Sequence, residues 1–243
     1  PSAMSIHFES DHPFIAVPLE CETIEDLQDR IDEILKKPYD MIAFDAGCFN
    51  GTINLSQLWN ALLFIARDAE QPSVLFSCDK SKLPEMYQTD NDYATILRFA
   101  IRSALIDAVK IERLDEDDID DIAGQAVDLG SVPIIVIRAD QGAKADELVQ
   151  KMESRWDLEA KTFELAVPVQ TKEDIQALED AAKTFHEAHH DATVIPHPIG
   201  KIAKEAMLQG QTFGAPLLYT TDGEETETLP TSTAIHKLLH PEE

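Results

Sequence analysis

Residues 192–219 read ATVIPHPIGKIAKEAMLQGQTFGAPLLY, and the spacing within this stretch decides the fold. Thr193-Val194-Ile195 is a short β-branched run, which predicts a strand. Pro196 and Pro198 are expected to end it, because proline has no N–H to give a ladder. From Ile199 the apolar positions become Ile199, Ile202, Ala203, Ala206 and Met207, one face of a helix. Gly210 is a C-terminal stop, and residues 215–219 read as a second buried strand. A strand, a crossover helix and a strand make a parallel pair, whose sheet must be covered on both faces.

The same unit repeats outward from this stretch. Apolar runs predict strands at 14–19, 41–45, 74–77, 108–111, 134–138, 162–167, 193–195 and 216–219. Helical spacing follows each one: after Thr23 up to Pro38, over 54–69, 90–103, 117–129 and 143–156, from Thr171 to about His189, up to Gly210, and from about Thr231. Eight strands alternating with eight helices in 243 residues match the ~250 typical of a closed (β/α)8 TIM barrel, an α/β fold. An open doubly wound sheet would carry a glycine-rich loop after its first strand. Glu20-Cys21-Glu22 stands there instead, and no phosphate loop occurs elsewhere. Residues 1–3, before Met4, read as an expression scar, and residues 4–243 as one barrel domain.

Composition narrows the function classes. A formal charge of −26 opposes nucleic acid and anionic membranes, whose phosphates need lysine and arginine. With no apolar run of ~18 residues and no signal peptide, a cytoplasmic location is expected. Cys21, Cys48 and Cys78 are far apart in sequence, without the CxxC spacing of a zinc ribbon. Neither a metal nor a cofactor is expected.

In such a barrel the chemistry sits at the C-terminal ends of the strands. Those ends carry Asp45, Ser77-Cys78-Asp79, Glu112, Arg138, Asp140, Gln170, His197 and the loop 220–229. The five carboxylates Asp45, Asp79, Glu112, Asp140 and Glu164 would suit a hard cation. Because 46 of 243 residues are acidic, their presence at strand ends is expected by chance. The loop 220–229 has Asp222, Glu224, Glu225 and Glu227 and no evident apolar anchor, so it is expected to be mobile without a ligand.

Three segments carry a resemblance: Ile106 through Glu112, Gly200-Lys201-Ile202-Ala203-Lys204 with Gln211 through Gly214, and Thr228-Leu229-Pro230-Thr231-Ser232. In this order the chain resembles the type I 3-dehydroquinate dehydratases, lyases of the shikimate pathway. The resemblance covers nearly everything after Pro13. It implies a barrel, a homodimer, a small-molecule ligand at the barrel mouth and no cofactor. It also implies a lysine that forms an imine with the substrate ketone, a histidine that moves protons, and arginines that hold a carboxylate.

Carried over by position, those groups are missing. The lysine position on the sixth strand holds Glu164, and the histidine position after the fifth holds Ala139. Asp45 and Asp79 stand where arginines belong, Lys204 replaces a late arginine, and Ser232 replaces the lid glutamine. A carboxylate cannot form an imine, and a methyl group cannot shuttle a proton. The fourth strand carries Lys110 where the family has an acid. The expectation is therefore a swapped ion pair, Lys110 with Glu164, inside the barrel.

The reading is a dehydratase-like barrel without dehydratase activity, either a non-catalytic homologue or a metabolite-binding protein. The alternative is an active lyase of that pathway, or a related aldolase-type enzyme, using Lys110, Glu164 and His197. Ligand contacts are expected from Asp45, Asp79, Glu112, Gln170, Lys204 and Ser232.

Overall fold

The structure, a computed structural model, describes residues 6–68 and 73–243. The expected scar at residues 1–3 and the expected last residue of the second helix, Ala69, lie outside the described residues. The chain runs β1 (Phe14–Leu19), α1 (Ile24–Ile34), β2 (Met41–Asp45), α2 (Leu55–Asp68), β3 (Val74–Ser77), α3 (Asp90–Arg102), β4 (Ala108–Ile111) and α4 (Glu116–Asp128). It continues through β5 (Val132–Arg138), α5 (Ala145–Glu153), β6 (Thr162–Pro168), α6 (Lys172–Ala188), β7 (Thr193–Ile199), α7 (Lys201–Leu208), β8 (Leu217–Tyr219) and α8 (Ser232–Leu239).

The strands are parallel and lie in the order β7-β6-β5-β4-β3-β2-β1-β8. β1 pairs with β8, Phe14 beside Leu217 and Ala16 beside Tyr219, so the first and last strands are joined. The result is a (β/α)8 barrel with a single seam, between β7 and β8, where no ladder forms.

That seam has a covalent cause. Thr193 N–H donates to Lys161 O, and Ile199 O accepts from Val169 N–H, so the odd-numbered residues of β7 turn their backbone groups toward β6. The even-numbered ones turn theirs toward β8, and among them Pro196 and Pro198 have no N–H to give. The expected stop at Ile195 is thus corrected. The strand runs through both prolines to Ile199, because proline is tolerated on an edge that makes no ladder.

Alternation along the strands builds two layers. Ala16, Met41, Leu75, Ala108, Ile134, Ile195 and Leu217 point inward and fill the barrel. Phe8 and Phe14 close its N-terminal end, their rings edge to face at 5.7 Å. The outward residues, such as Val17, Phe44, Phe76, Val109 and Phe163, are buried with the apolar stripes of the helices, including Leu27, Leu62, Leu97, Ile122 and Leu178. Each such side chain contributes ~1.5–3 kcal/mol on burial, so closing both layers drives the fold.

Local signals fix the connections. Thr23, Thr89, Thr171 and Thr231 cap α1, α3, α6 and α8 by accepting backbone N–H groups, and Thr171 forms a capping box with Asp174. Gly200 enters α7 at φ 149°, and a Cβ there would lie 2.7 Å from Val169 O. Only glycine fits that approach, which lets α7 start hard against the end of β6.

The loop 220–229 is less free than its composition suggests. The Asp222 carboxylate is buried and takes both Arg30 terminal nitrogens, at 2.8 and 3.1 Å. Thr221 bridges to Thr231, and Lys204 Nζ donates to Thr226 O at 3.0 Å. The expected acidic flap is pinned at its start, its middle and its end.

Candidate functional site

The site is assembled from inward-facing residues at the C-terminal half of the barrel. Lys110 is the only lysine on any of the eight strands, and the β4 pleat turns it inward from Ala108. Glu164 on β6 faces it and is fully buried. Lys110 Nζ lies 3.0 Å from Glu164 Oε2. The same ammonium donates to the Tyr219 hydroxyl at 3.1 Å and sits 4.9 Å from that ring's centre. The Tyr219 hydroxyl donates in turn to Glu164 Oε1. His197 Nδ1 lies 3.4 Å from Glu164 Oε2, and the imidazole stacks on the Tyr219 ring at 4.2 Å.

These contacts set the charges. Burial alone would raise the Glu164 carboxyl, but Lys110, with His197 and Tyr219, holds it well below the usual carboxylate range. Burial and the neighbouring Glu164 charge push Tyr219 well above the ordinary phenol, so its hydroxyl keeps its proton. Glu164 is an ionised acceptor of three donors, as a buried carboxylate must be.

Tyr219 is the member of this cluster that the sequence reading missed. The signal was present: Leu217 and Tyr219 are two apart on one strand, so they share the inward face.

The expected ligand residues have other duties. Asp45 Oδ1 accepts the N–H groups of Gly47 and Asp79, at 2.9 and 3.0 Å, while its Oδ2 receives Lys82 Nζ at 3.0 Å. It ties the loop after β2 to the loop after β3. Asp79 caps a short turn by accepting from Ser81 N–H and Oγ. Glu112 takes Arg138 Nε at 2.5 Å, and its own N–H donates to the Tyr93 hydroxyl at 3.0 Å. Asp45 and Glu112 are thus each matched to a cation, Lys82 and Arg138, and Asp79 is held by Ser81. Gln170 is exposed beyond β6, its N–H given to Asp174. Lys204 holds the loop 220–229, and Ser232 is buried at the start of α8, its N–H donating to Thr221 O. Those three stand apart from the Lys110 cluster. Ala139 is half-buried against the outer core, at the edge of a separate groove beyond β5.

Two cavities open over the cluster and share Lys110, Asp45 and Ser77. The outer one, of about 580 Å³, is bounded by Asp79, Glu112, Arg113 and Arg138. The inner one, of about 310 Å³, has His197 and Tyr219 beside Lys110 and apolar walls from Ala16, Ala43, Leu75 and Leu229. The five carboxylates named above do not converge. Among the described residues, the group with metal-ligand spacing is Glu20, Asp45 and Cys48, and the Lys82 ammonium already lies on Asp45.

The environment favours the protonated form of all three thiols. Burial pushes Cys21 and Cys78 up to about 12 and Cys48 up to about 11, with neighbouring carboxylates adding to the effect. No helix among the described residues is long and apolar enough to cross a membrane.

Comparison with known proteins agrees with this architecture. A 3-dehydroquinate dehydratase of Klebsiella pneumoniae is 25% identical over 238 residues, spanning 96% of this chain and 94% of the relative. One of Salmonella paratyphi B is 24% identical over 206 residues, 84% and 82% of the two chains. The type I 3-dehydroquinate dehydratase of Clostridium difficile, solved with covalently modified comenic acid, superposes with a TM-score of 0.83 at 19% identity, covering 95% of this chain and 92% of that one. The 3-dehydroquinate dehydratase of Geobacillus kaustophilus gives 0.83 at 16% identity, covering 95% and 91%. At such identities these structures speak for the fold alone. The family model for type I 3-dehydroquinase matches residues 15–242, and the chain belongs to that family.

Proposed function

We propose that this member of the family does not dehydrate 3-dehydroquinate and instead binds a small molecule at the barrel mouth. The observation that carries the reading is the buried pair itself. The inward position on β6, where the resemblance calls for the imine-forming lysine, holds an ionised Glu164. The one strand lysine, Lys110, lies across the barrel, bound to that carboxylate at 3.0 Å. An amine attacks a carbonyl only when its lone pair is free, and Lys110 Nζ is engaged by Glu164 and by the Tyr219 hydroxyl. Ala139, where a proton-moving histidine would stand, has no side chain to move one.

A second reading has its own support. Lys110, His197 and Glu164 lie side by side under the inner cavity, the grouping an aldolase-type enzyme would use. Borohydride reduction in the presence of 3-dehydroquinate separates the two. The proposal expects no mass increase on the protein and no loss of water from the substrate. An adduct on Lys110 would establish the enzyme reading.

A further inference from the structure

The inner cavity also limits what its occupant can be, and this step rests on the ligand-binding reading just given. Several polar groups around it are committed. Tyr219 donates to Glu164, Thr220 Oγ1 donates to Ala16 O, and Asp45 is filled by two N–H groups and Lys82. Four side chains on its lining keep free valences, Lys110, His197 and the hydroxyls of Ser77 and Thr228, and the first two decide the pairing. Lys110 has three N–H bonds and spends two, on Glu164 and on Tyr219. His197 faces Glu164 through Nδ1. An ionised carboxylate only accepts, so Nδ1 carries a proton, and in the neutral ring Nε2 is then an acceptor. Among the described residues nothing bonds Nε2.

The floor therefore presents the Lys110 donor beside the His197 acceptor, with the Ser77 and Thr228 hydroxyls able to add to either, under walls of Ala16, Ala43, Leu75, Ile199 and Leu229. The rim adds the carboxylates of Glu20 and Asp45. Apolar walls give little to a ring of hydroxyls, and the exposed Glu20 carboxylate at the rim disfavours an anion there. We infer that the inner cavity takes a small uncharged molecule with an apolar body, whose head sets a carbonyl beside an N–H or O–H. The carbonyl accepts from Lys110, and the N–H or O–H donates to His197 Nε2.

Three probes of nearly one shape test this: benzamide, acetophenone and benzoate. Benzamide offers both valences, acetophenone only the carbonyl, and benzoate two acceptors with a charge. Amide chemical shifts of the labelled protein give the affinities. Benzamide should bind about tenfold tighter than either of the others, the worth of one hydrogen bond well placed in a pocket. His197→Phe keeps the stack on Tyr219 and removes Nε2, so it should level benzamide with acetophenone. Leu229→Trp narrows the cavity from its wall and should weaken all three. Benzoate binding as tightly as benzamide, a preference that survives His197→Phe, or no binding by any probe would each overturn the inference. The borohydride experiment stands apart from these outcomes, so the proposed loss of lyase activity can fail or hold on its own.

Discussion

Lys110 Nζ and Glu164 Oε2 meet at 3.0 Å inside the barrel, although β5 lies between their strands. Removing one partner leaves the other charge buried, which typically costs ~3–5 kcal/mol. Lys110→Met should lower stability toward the smaller of those values, because Tyr219 and His197 still serve Glu164. Adding Glu164→Gln should recover part of the loss. Urea unfolding of the two single variants and the double variant measures the coupling. Strict additivity would mean that the pair does not act as a unit.

Tyr219→Phe tests the hydroxyl alone. The ring and its stack on His197 remain, and Glu164 loses one of its three donors. A hydrogen bond to a buried charge is worth ~1.5–3 kcal/mol, so a loss in that range is expected by the same measurement. A change below ~0.5 kcal/mol would show that Lys110 and His197 satisfy the carboxylate without it.

Acid should act through Glu164. Its folded-state value lies below the ordinary carboxylate range, so it adds stability above that range and loses it as pH falls below. Wild-type stability should therefore drop steeply below about pH 4, with part of the slope carried by this one group. Glu164→Gln should show a shallower fall over the same interval. Parallel curves for the two proteins would contradict the assignment.

Alkylation reads the thiols. With Cys21 and Cys78 at about 12 and Cys48 at about 11, thiolate is scarce at neutral pH. Iodoacetamide should label the native protein slowly at neutral pH, and faster only as pH rises well above that of an ordinary thiol. Because the Lys82 ammonium lowers the Cys48 value, Lys82→Ala should slow labelling at Cys48 further. Rapid labelling of the native protein at neutral pH would count against the burial described for these thiols.

The loop 220–229 gives a proteolytic test. Arg30→Ala removes the fork that holds the buried Asp222 carboxylate. Cleavage by an acid-selective protease at Glu224, Glu225 or Glu227 should speed up by about tenfold or more, in line with a lost buried ion pair. Unchanged cleavage would place the anchor elsewhere.

Much of this was legible in the chain because it rests on local periodicity. The eight β/α units and the caps at Thr23 and Thr171 follow from residues a few positions apart or from strand alternation, while the charge swap between Lys110 and Glu164 is what the family resemblance implies. What escaped depends on partners distant in sequence. Tyr219 matters because its hydroxyl reaches Glu164, 55 residues earlier. Asp45 looked like a ligand residue until the N–H groups of Gly47 and Asp79 closed on it. Pro196 and Pro198 are strand breakers by rule, and only the missing ladder on the β8 side shows why β7 keeps them. Asp222 looked like part of a solvated acidic run because Arg30, its counter-charge, lies 192 residues away.

The seam between β7 and β8 gives the barrel a clasp. Everywhere else the ring is stitched by backbone, whose bonds are indifferent to side-chain chemistry. Here His197 on one lip stacks against Tyr219 on the other, and both hold the same carboxylate. A change of protonation or occupancy at the site is thus felt directly by the line along which the cylinder would unroll. Helices α7 and α8, which flank that line, are the natural place to look for a motion that reports whether the cavity is filled.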